Sequence, residues 1–197
     1  MKIFECTDSF LPIIDGVGRV AYNYADKLAR LDDNQVYVVT PLADSGYRGS
    51  YPFELLDFQS VQMTKSQSYQ TGIAQLDLHY VERVGKISPD IIHIHTPGLA
   101  GVEGLRLAEK FNVPAIGTFH SKYYDDFLRA TGSKALATVG VRYVAEFYNR
   151  CDEVWTVSED AAYTLQSYHY NGDIFIMPNG TELKEINEEN EALARST

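Results

Sequence analysis

Two glycines stand in the stretch Asp15-Gly16-Val17-Gly18-Arg19, after an apolar segment at 2–6 and before an amphipathic one that begins near Gly18. Glycine lets a backbone bend through positive φ and lie against a ligand, and a helix start directs unpaired N–H groups and a partial positive charge at it. The pattern describes an anion site for a phosphate-bearing ligand, with a glycine-rich turn between strand and helix as the plain alternative. A second concentration of reactive groups runs from His120 through Ser121, Lys122, Tyr123, Tyr124, Asp125 and Asp126. Its polar and aromatic side chains suit a sugar-like ligand, and His120 is the strongest single candidate in the chain. His93 and His95, two apart on one strand, point to the same face. Two histidines without a third ligand nearby make a poor zinc site, so His93 is read as structural, His95 as facing the site, and no metal is expected. Asp125 and Asp126 read as carboxylates at the positive end of a helix rather than as an acid–base pair.

The elements that must position these groups alternate along the chain. Short apolar runs at 2–6, 35–40, 91–95, 115–118, 153–157 and 174–177, with a weaker one around 53–58, read as strands, and several are continuous in the way buried parallel strands are. Between them lie helical periodicities. Val20, Ala21, Tyr24, Leu28 and Leu31 form one stripe, and Ile73, Leu76, Tyr80, Val84 and Ile87 form another on a helix expected over 71–88. Further helices are expected over 99–111, 134–150 and 159–168, the last with Ser158 as N-cap. Residues 44–70 show little periodicity and read as a long loop or short irregular strands. The fold class is therefore α/β, a doubly wound, mainly parallel sheet with helices on both faces. Ligands of such sheets bind beyond the carboxyl ends of the strands, which singles out Asp8, the Gly16 loop, His95, His120, Ser121 and Asn179.

Composition narrows the function. A net charge of −10 argues against general nucleic-acid binding, which depends on lysine and arginine neutralising phosphates. The two cysteines, Cys6 and Cys151, have no paired spacing and read as reduced core residues. No apolar run approaches a membrane span, and Glu5 and Asp8 interrupt any signal-peptide core, so a cytoplasmic protein is expected. Between His120 and Arg150, Lys122, Arg129, Lys134, Arg142 and Arg150 outnumber Asp125, Asp126 and Glu146 by two charges. That excess leaves open peripheral contact with an inner membrane face.

Five motifs in order carry a family resemblance: Phe10-Leu11-Pro12 with Gly16-Val17-Gly18-Arg19, then 89–95 (Pro-Asp-Ile-Ile-His-Ile-His), Thr118-Phe119-His120, 151–158 (Cys-Asp-Glu-Val-Trp-Thr-Val-Ser), and Ile176-Met177-Pro178-Asn179-Gly180. Over nearly its whole length the chain resembles the N-terminal domain of retaining glycosyltransferases of the GT-B fold, family 4. The resemblance implies an acceptor-side Rossmann-like domain at 1–181 and the start of an interdomain linker at 182–197, with the donor-binding domain absent and this part inactive by itself. It further implies a nucleotide-sugar donor, no cofactor or metal, the backbone of Gly16, Val17 and Gly18 against the donor diphosphate, and His120 as the catalytic residue hydrogen-bonded to the transferred sugar. Asp8, His95, Ser121, Tyr123, Tyr124 and Asn179 become candidates for the sugar or acceptor site. One departure stands out: many members have two adjacent glycines where this chain has Asp15-Gly16, and a carboxylate there would repel a diphosphate unless it points away.

Related lipid glycosyltransferases turn the region around 120–150 to the membrane, so a lipid or lipid-linked sugar acceptor is expected. The competing reading is a free-standing sugar- or nucleotide-binding module. A nicotinamide-dependent enzyme is disfavoured by the missing G-x-G-x-x-G and by the lack of an acidic residue ending the strand at 35–40.

Overall fold

A computed structural model of the chain describes residues 1–13, 15–31, 33–62 and 70–180. Seven strands form one sheet, in the order β3-β2-β1-β6-β7-β8-β9, and every neighbouring pair runs parallel. The strands are β1 (Lys2–Cys6), β2 (Gln35–Thr40), β3 (Glu54–Asp57), β6 (Ile91–Ile94), β7 (Ala115–Phe119), β8 (Glu153–Thr156) and β9 (Phe175–Ile176). A short antiparallel pair, β4 (Val61–Gln62) with β5 (Gln70–Thr71), stands apart. The helices are α1 (Gly16–Ala29), α2 (Leu78–Gly85), α3 (Leu99–Phe111), α4 (Tyr123–Thr131), α5 (Lys134–Tyr148) and α6 (Glu159–Ser167).

Alternation along the strands sends side chains into two cores. Ile3, Val36 and Val38 pack with Ala21 and Ala25 of α1 on one face. Phe4, Cys6, Val39, Ile92 and Ile94 pack with α2, α3 and α5 on the other. The continuous apolar runs follow from this coverage on both sides. Cys6 and Cys151 are both free thiols, as their spacing implies. α3 lies close on β6 because a side chain at Gly101 would meet the Thr96 carbonyl oxygen and one at Gly104 would press on Ile94.

The helix expected over 71–88 is the main departure. α2 begins at Leu78, after the short strand β5 and a single turn of 3-10 helix at Ala74–Leu76. Asp77 decides the start: its carboxylate accepts the Tyr80 N–H at 3.0 Å and the Gln59 N–H at 2.8 Å, capping the helix and tying it to the segment after β3. Tyr80 and Val84 are buried as expected, but Ile73 and Leu76 are 52% and 75% exposed, so the apolar stripe is real only within the capped helix. Residues 44–60 settle as a short 3-10 turn and β3, and 63–69 lie outside the described residues. Ser158 caps α6, accepting the Ala161 N–H at 3.2 Å. The segment 182–197, read as a linker, also lies outside the described residues.

The close approach of α3 to β6 gives a direct test. Gly101→Ala places a Cβ 2.0 Å from the Thr96 carbonyl oxygen, and overpacking of this kind costs about 1–3 kcal/mol. A urea unfolding midpoint equal to that of the parent chain would contradict this packing.

Candidate functional site

The chain reverses its direction of travel across the sheet between β1 and β6, and the crevice beyond the carboxyl ends of those two strands is where doubly wound sheets take their ligands. Asp8 and Thr96, the residues just past β1 and β6, meet there. The Asp8 N–H donates to Thr96 Oγ1 at 2.9 Å, and the Thr96 hydroxyl donates to Asp8 Oδ2 at 2.5 Å. Asp8 Oδ1 accepts the Ala100 N–H at 2.9 Å, so Asp8 caps α3 from a distant strand in place of Gly98, which has no side chain to do so. A Cβ on Gly98 would lie 2.4 Å from Asp8 Oδ2, so the glycine makes room for the carboxylate. Burial raises the Asp8 carboxyl above the usual range, opposed by the hydrogen bonds from Ala100 and Thr96.

The Gly16 loop differs from its expected form. Neither Gly16 nor Gly18 has a positive φ, so neither is there to turn the chain. Asp15 is the N-cap of α1: its Oδ1 accepts the Gly18 N–H at 2.6 Å, and its Oδ2 accepts the Ser9 hydroxyl at 2.5 Å. Gly18 is buried, and a Cβ there would crowd Asp15 and Ser9 at 3.1 Å. Its N–H is thus committed to Asp15 rather than offered to a diphosphate. A Cβ on Gly16 would meet nothing within 4 Å. The first-turn N–H groups of Gly16 and Val17 have no partner within the helix and remain the ones a ligand can use.

Behind the crevice lies a polar cluster buried on the α1 face of the sheet. Glu5 of β1 stands opposite His93 of β6 in register, and both are sealed from solvent with His95. Glu5 Oε2 meets His95 Nε2 at 2.7 Å and His93 Nδ1 at 2.9 Å. His93 Nε2 lies 2.7 Å from Thr118 Oγ1, and His95 Nδ1 lies 3.2 Å from Nε2 of His120. Tyr24 of α1 packs on both His93 and His95, and Trp155 of β8 meets His93 edge-on. Burial acts to raise the Glu5 carboxyl, but attraction and hydrogen bonding from His93 and His95 outweigh it and hold it near 2. Burial, with repulsion from neighbouring imidazoles, lowers His95 to about 4 and His120 to about 2.

Glu5 is thus the third group that sequence reasoning missed beside His93 and His95, and the ligand atoms of the three lie within 4.8 Å of one another. Ring nitrogens 2.7 and 2.9 Å from one carboxylate oxygen are at hydrogen-bond spacing, closer than two ligands of a single zinc ion stand to each other. The visible signal was a carboxylate inside the strand, between the apolar Phe4 and Cys6.

The candidate residues gather along one edge. A depression of about 330 Å³ is lined by Asp15, Gly16, Val17, His120, Ser121 and Asn179. It adjoins one of about 360 Å³ that shares Asp15, Val17 and Ser121 and continues to Asp8, Thr96 and Tyr123. A third, of about 470 Å³ and almost wholly apolar, runs on from Asp8 and Tyr123 past Leu99, Phe127, Val139 and Tyr143. His95 is buried and reaches this cleft only through His120. Tyr124 lines a different depression, with Lys122, Asp125 and Arg142 between α4, α5 and α6. The cations of 122–150 do not form one patch. Arg129 pairs with Asp126 at 3.4 Å, and Arg150 lines a cavity at the opposite edge of the sheet, beside Ala115 and Pro114.

A parallel seven-strand sheet with its polar groups collected at the switch point defines a Rossmann-like α/β domain with a ligand cleft. The chain belongs to glycosyltransferase family 4, whose family model matches residues 14–185. It is 23% identical over 190 residues to the alpha-monoglucosyldiacylglycerol synthase of Acholeplasma laidlawii, covering 93% of this chain and 47% of that protein. It is 23% identical to a GDP-mannose-dependent alpha-mannosyltransferase of Mycolicibacterium smegmatis, covering 85% of this chain and 45% of the other. Among solved structures, HepE of Anabaena, crystallised in complex with UDP-glucose, superposes with a TM-score of 0.59 at 13% identity, over 92% of this chain and 44% of that one. The chain therefore spans less than half the length of the relatives it matches. Among the described residues no helix is long and apolar enough to cross a membrane.

The buried cluster makes stability fall with acid. Well above pH 6.5, His95 and His120 are neutral in the folded and unfolded chain alike. Below it the unfolded chain binds protons that His95 and His120 refuse in the fold, a loss of about 2 kcal/mol for each between pH 6.5 and 5. Glu5 adds to the loss from its unfolded value of 4.5 down to about 2, while the raised Asp8 works in the opposite sense. Urea midpoints measured at about pH 7 and pH 5 should separate accordingly, and coincident midpoints would refute the buried neutral imidazoles.

Proposed function

We propose that this chain is the acceptor-side domain of a retaining glycosyltransferase that takes its sugar from a nucleotide-sugar donor, and that it is inactive without a donor-side domain. The observation that carries the reading is the depression in which the start of α1, His120, Ser121 and Asn179 converge. There the N–H groups of Gly16 and Val17 meet the donor diphosphate, where a helix N-terminus stabilises negative charge, and His120 hydrogen-bonds the transferred sugar. Stabilisation of the departing phosphate supplies much of the rate, without metal or cofactor. The UDP-glucose of the HepE complex and the GDP-mannose in the names of two relatives support a nucleotide-sugar donor. The short coverage of the relatives supports a second domain, which would supply the remaining donor contacts.

The acceptor is a lipid or lipid-linked sugar. The support is the apolar depression that continues from Asp8 between Leu99, Tyr123, Phe127 and Val139, flanked by Leu136, Val139 and Tyr143 exposed on α5. The glycolipid named in one relative's activity agrees with it. Contact with the cytoplasmic face of a membrane is then peripheral and rests on this apolar surface more than on the scattered cations.

In a protein that joins this chain to its donor-side domain, assay against a panel of nucleotide sugars tests the reading. His120→Ala is expected to lower kcat by about 100-fold or more while changing nucleotide affinity less than about threefold. Unchanged turnover would remove His120 from the chemistry. The 197-residue chain alone should give no turnover, and measurable transfer by it would overturn the two-domain reading. Binding of the joined protein to anionic vesicles should weaken in Leu136→Ser/Val139→Ser, and absence of vesicle binding by the parent would count against a lipid acceptor.

A further inference from the structure

His120 has two ring nitrogens, and the one it turns to a ligand can either donate or accept a hydrogen bond. The buried cluster decides between them. Glu5 is ionised and can only accept, so the nitrogen of His95 that faces it at 2.7 Å must carry a proton. His95 is neutral, since burial holds it well below its ordinary value, and has one proton to place. With that proton on Nε2, its Nδ1 is a bare acceptor. Nε2 of His120 stands 3.2 Å from that acceptor and must therefore be the protonated nitrogen, because two lone pairs would otherwise face each other. A neutral His120 is left with Nδ1 unprotonated. The two rings lie nearly parallel, at 20°, with centroids 5.4 Å apart. The flanking Tyr24 and Trp155 bring no charge that would reverse the order, Tyr24 being kept protonated by burial.

We propose that Glu5 is a positioning residue acting through His95: it fixes His120 as the Nε2–H tautomer, so that Nδ1 is a hydrogen-bond acceptor for a hydroxyl group of the ligand in the cleft. Under the proposed transferase reading, on which the identity of that hydroxyl rests, the site selects a sugar that presents an O–H donor to His120 and disfavours one in which that hydroxyl is deoxygenated or methylated. The chain of proton positions begins at a buried charge on β1, crosses β6 and ends past β7, so the selectivity of a cleft residue is set from inside the sheet.

The test reads the tautomer directly, without substrate. Long-range proton–nitrogen NMR correlation spectra of the isotopically labelled 197-residue chain near pH 7, with His120 assigned through His120→Gln, should give the Nε2–H pattern for both His95 and His120. Glu5→Leu should move His120 to a mixture of tautomers or to Nδ1–H while the backbone spectrum reports a retained fold. If that variant does not fold, the parent spectrum decides alone. An Nδ1–H or doubly protonated His120 in the parent, or an unchanged tautomer in folded Glu5→Leu, would overturn the proposal. In the joined protein, Glu5→Leu should lower kcat about tenfold with the donor KM within about twofold. Lack of turnover by the parent would sink the transferase reading and leave the tautomer result standing, while a wrong tautomer would do the reverse.

Discussion

A carboxylate sealed within the sheet has to be balanced where it stands, and the environment of Glu5 organises much of what surrounds it. Its charge has no access to water, so two imidazoles of the neighbouring strand share one of its oxygens. That requirement turns the α1 face at the centre of the sheet polar, while Phe4, Cys6, Ile92 and Ile94 keep the opposite face of the same strands apolar. It also explains why Tyr24 and Trp155, aromatic groups with a polar edge, pack on this face in place of aliphatic side chains. Breaking one partner of such a group leaves a charge unpaired, which is far costlier than the pair is worth.

The parallel sheet then carries this interior order to the surface. Every strand ends at the same edge, so the residues just past β1, β6, β7 and β9 arrive together without any long excursion of the chain. Asp8, Thr96, His120, Ser121 and Asn179 are far apart in sequence and adjacent in the cleft for that reason. The fold that makes this convergence possible is shared with HepE.

Much of the fold was legible in the sequence because strands covered on both sides must be continuously apolar, and those runs leave little ambiguity. Helix ends were legible where a capping side chain marks them, as at Ser158. Over 71–77 the apolar spacing continued through residues outside the α-helix, and the cap at Asp77 was the truer signal. Of the site, the residues at strand ends were legible from the general behaviour of such sheets, and the shared face of His93 and His95 from their spacing. Glu5 was not, because its meaning depends on the pairing register of β1 with β6, a relation between residues about 88 positions apart that no local pattern encodes. The roles of the two glycines were hidden for a similar reason: Gly18 answers to Ser9 and Asp15 around it, not to the turn its type suggests.

The contact between Asp8 and Gly98 ties two distant positions into one steric unit. The space that a side chain at 98 would fill is already occupied by the carboxylate of residue 8. Across relatives the two sites should therefore vary as a linked pair, with any bulk gained at 98 matched by bulk lost at 8. The helix start that Asp8 now caps would then need a side-chain cap of its own, and the new residue at 98 is the one placed to provide it. A serine at 98 with a small residue at 8 would keep the helix capped while removing a carboxylate from the cleft, a route by which the polarity of this edge could change without disturbing the sheet beneath it.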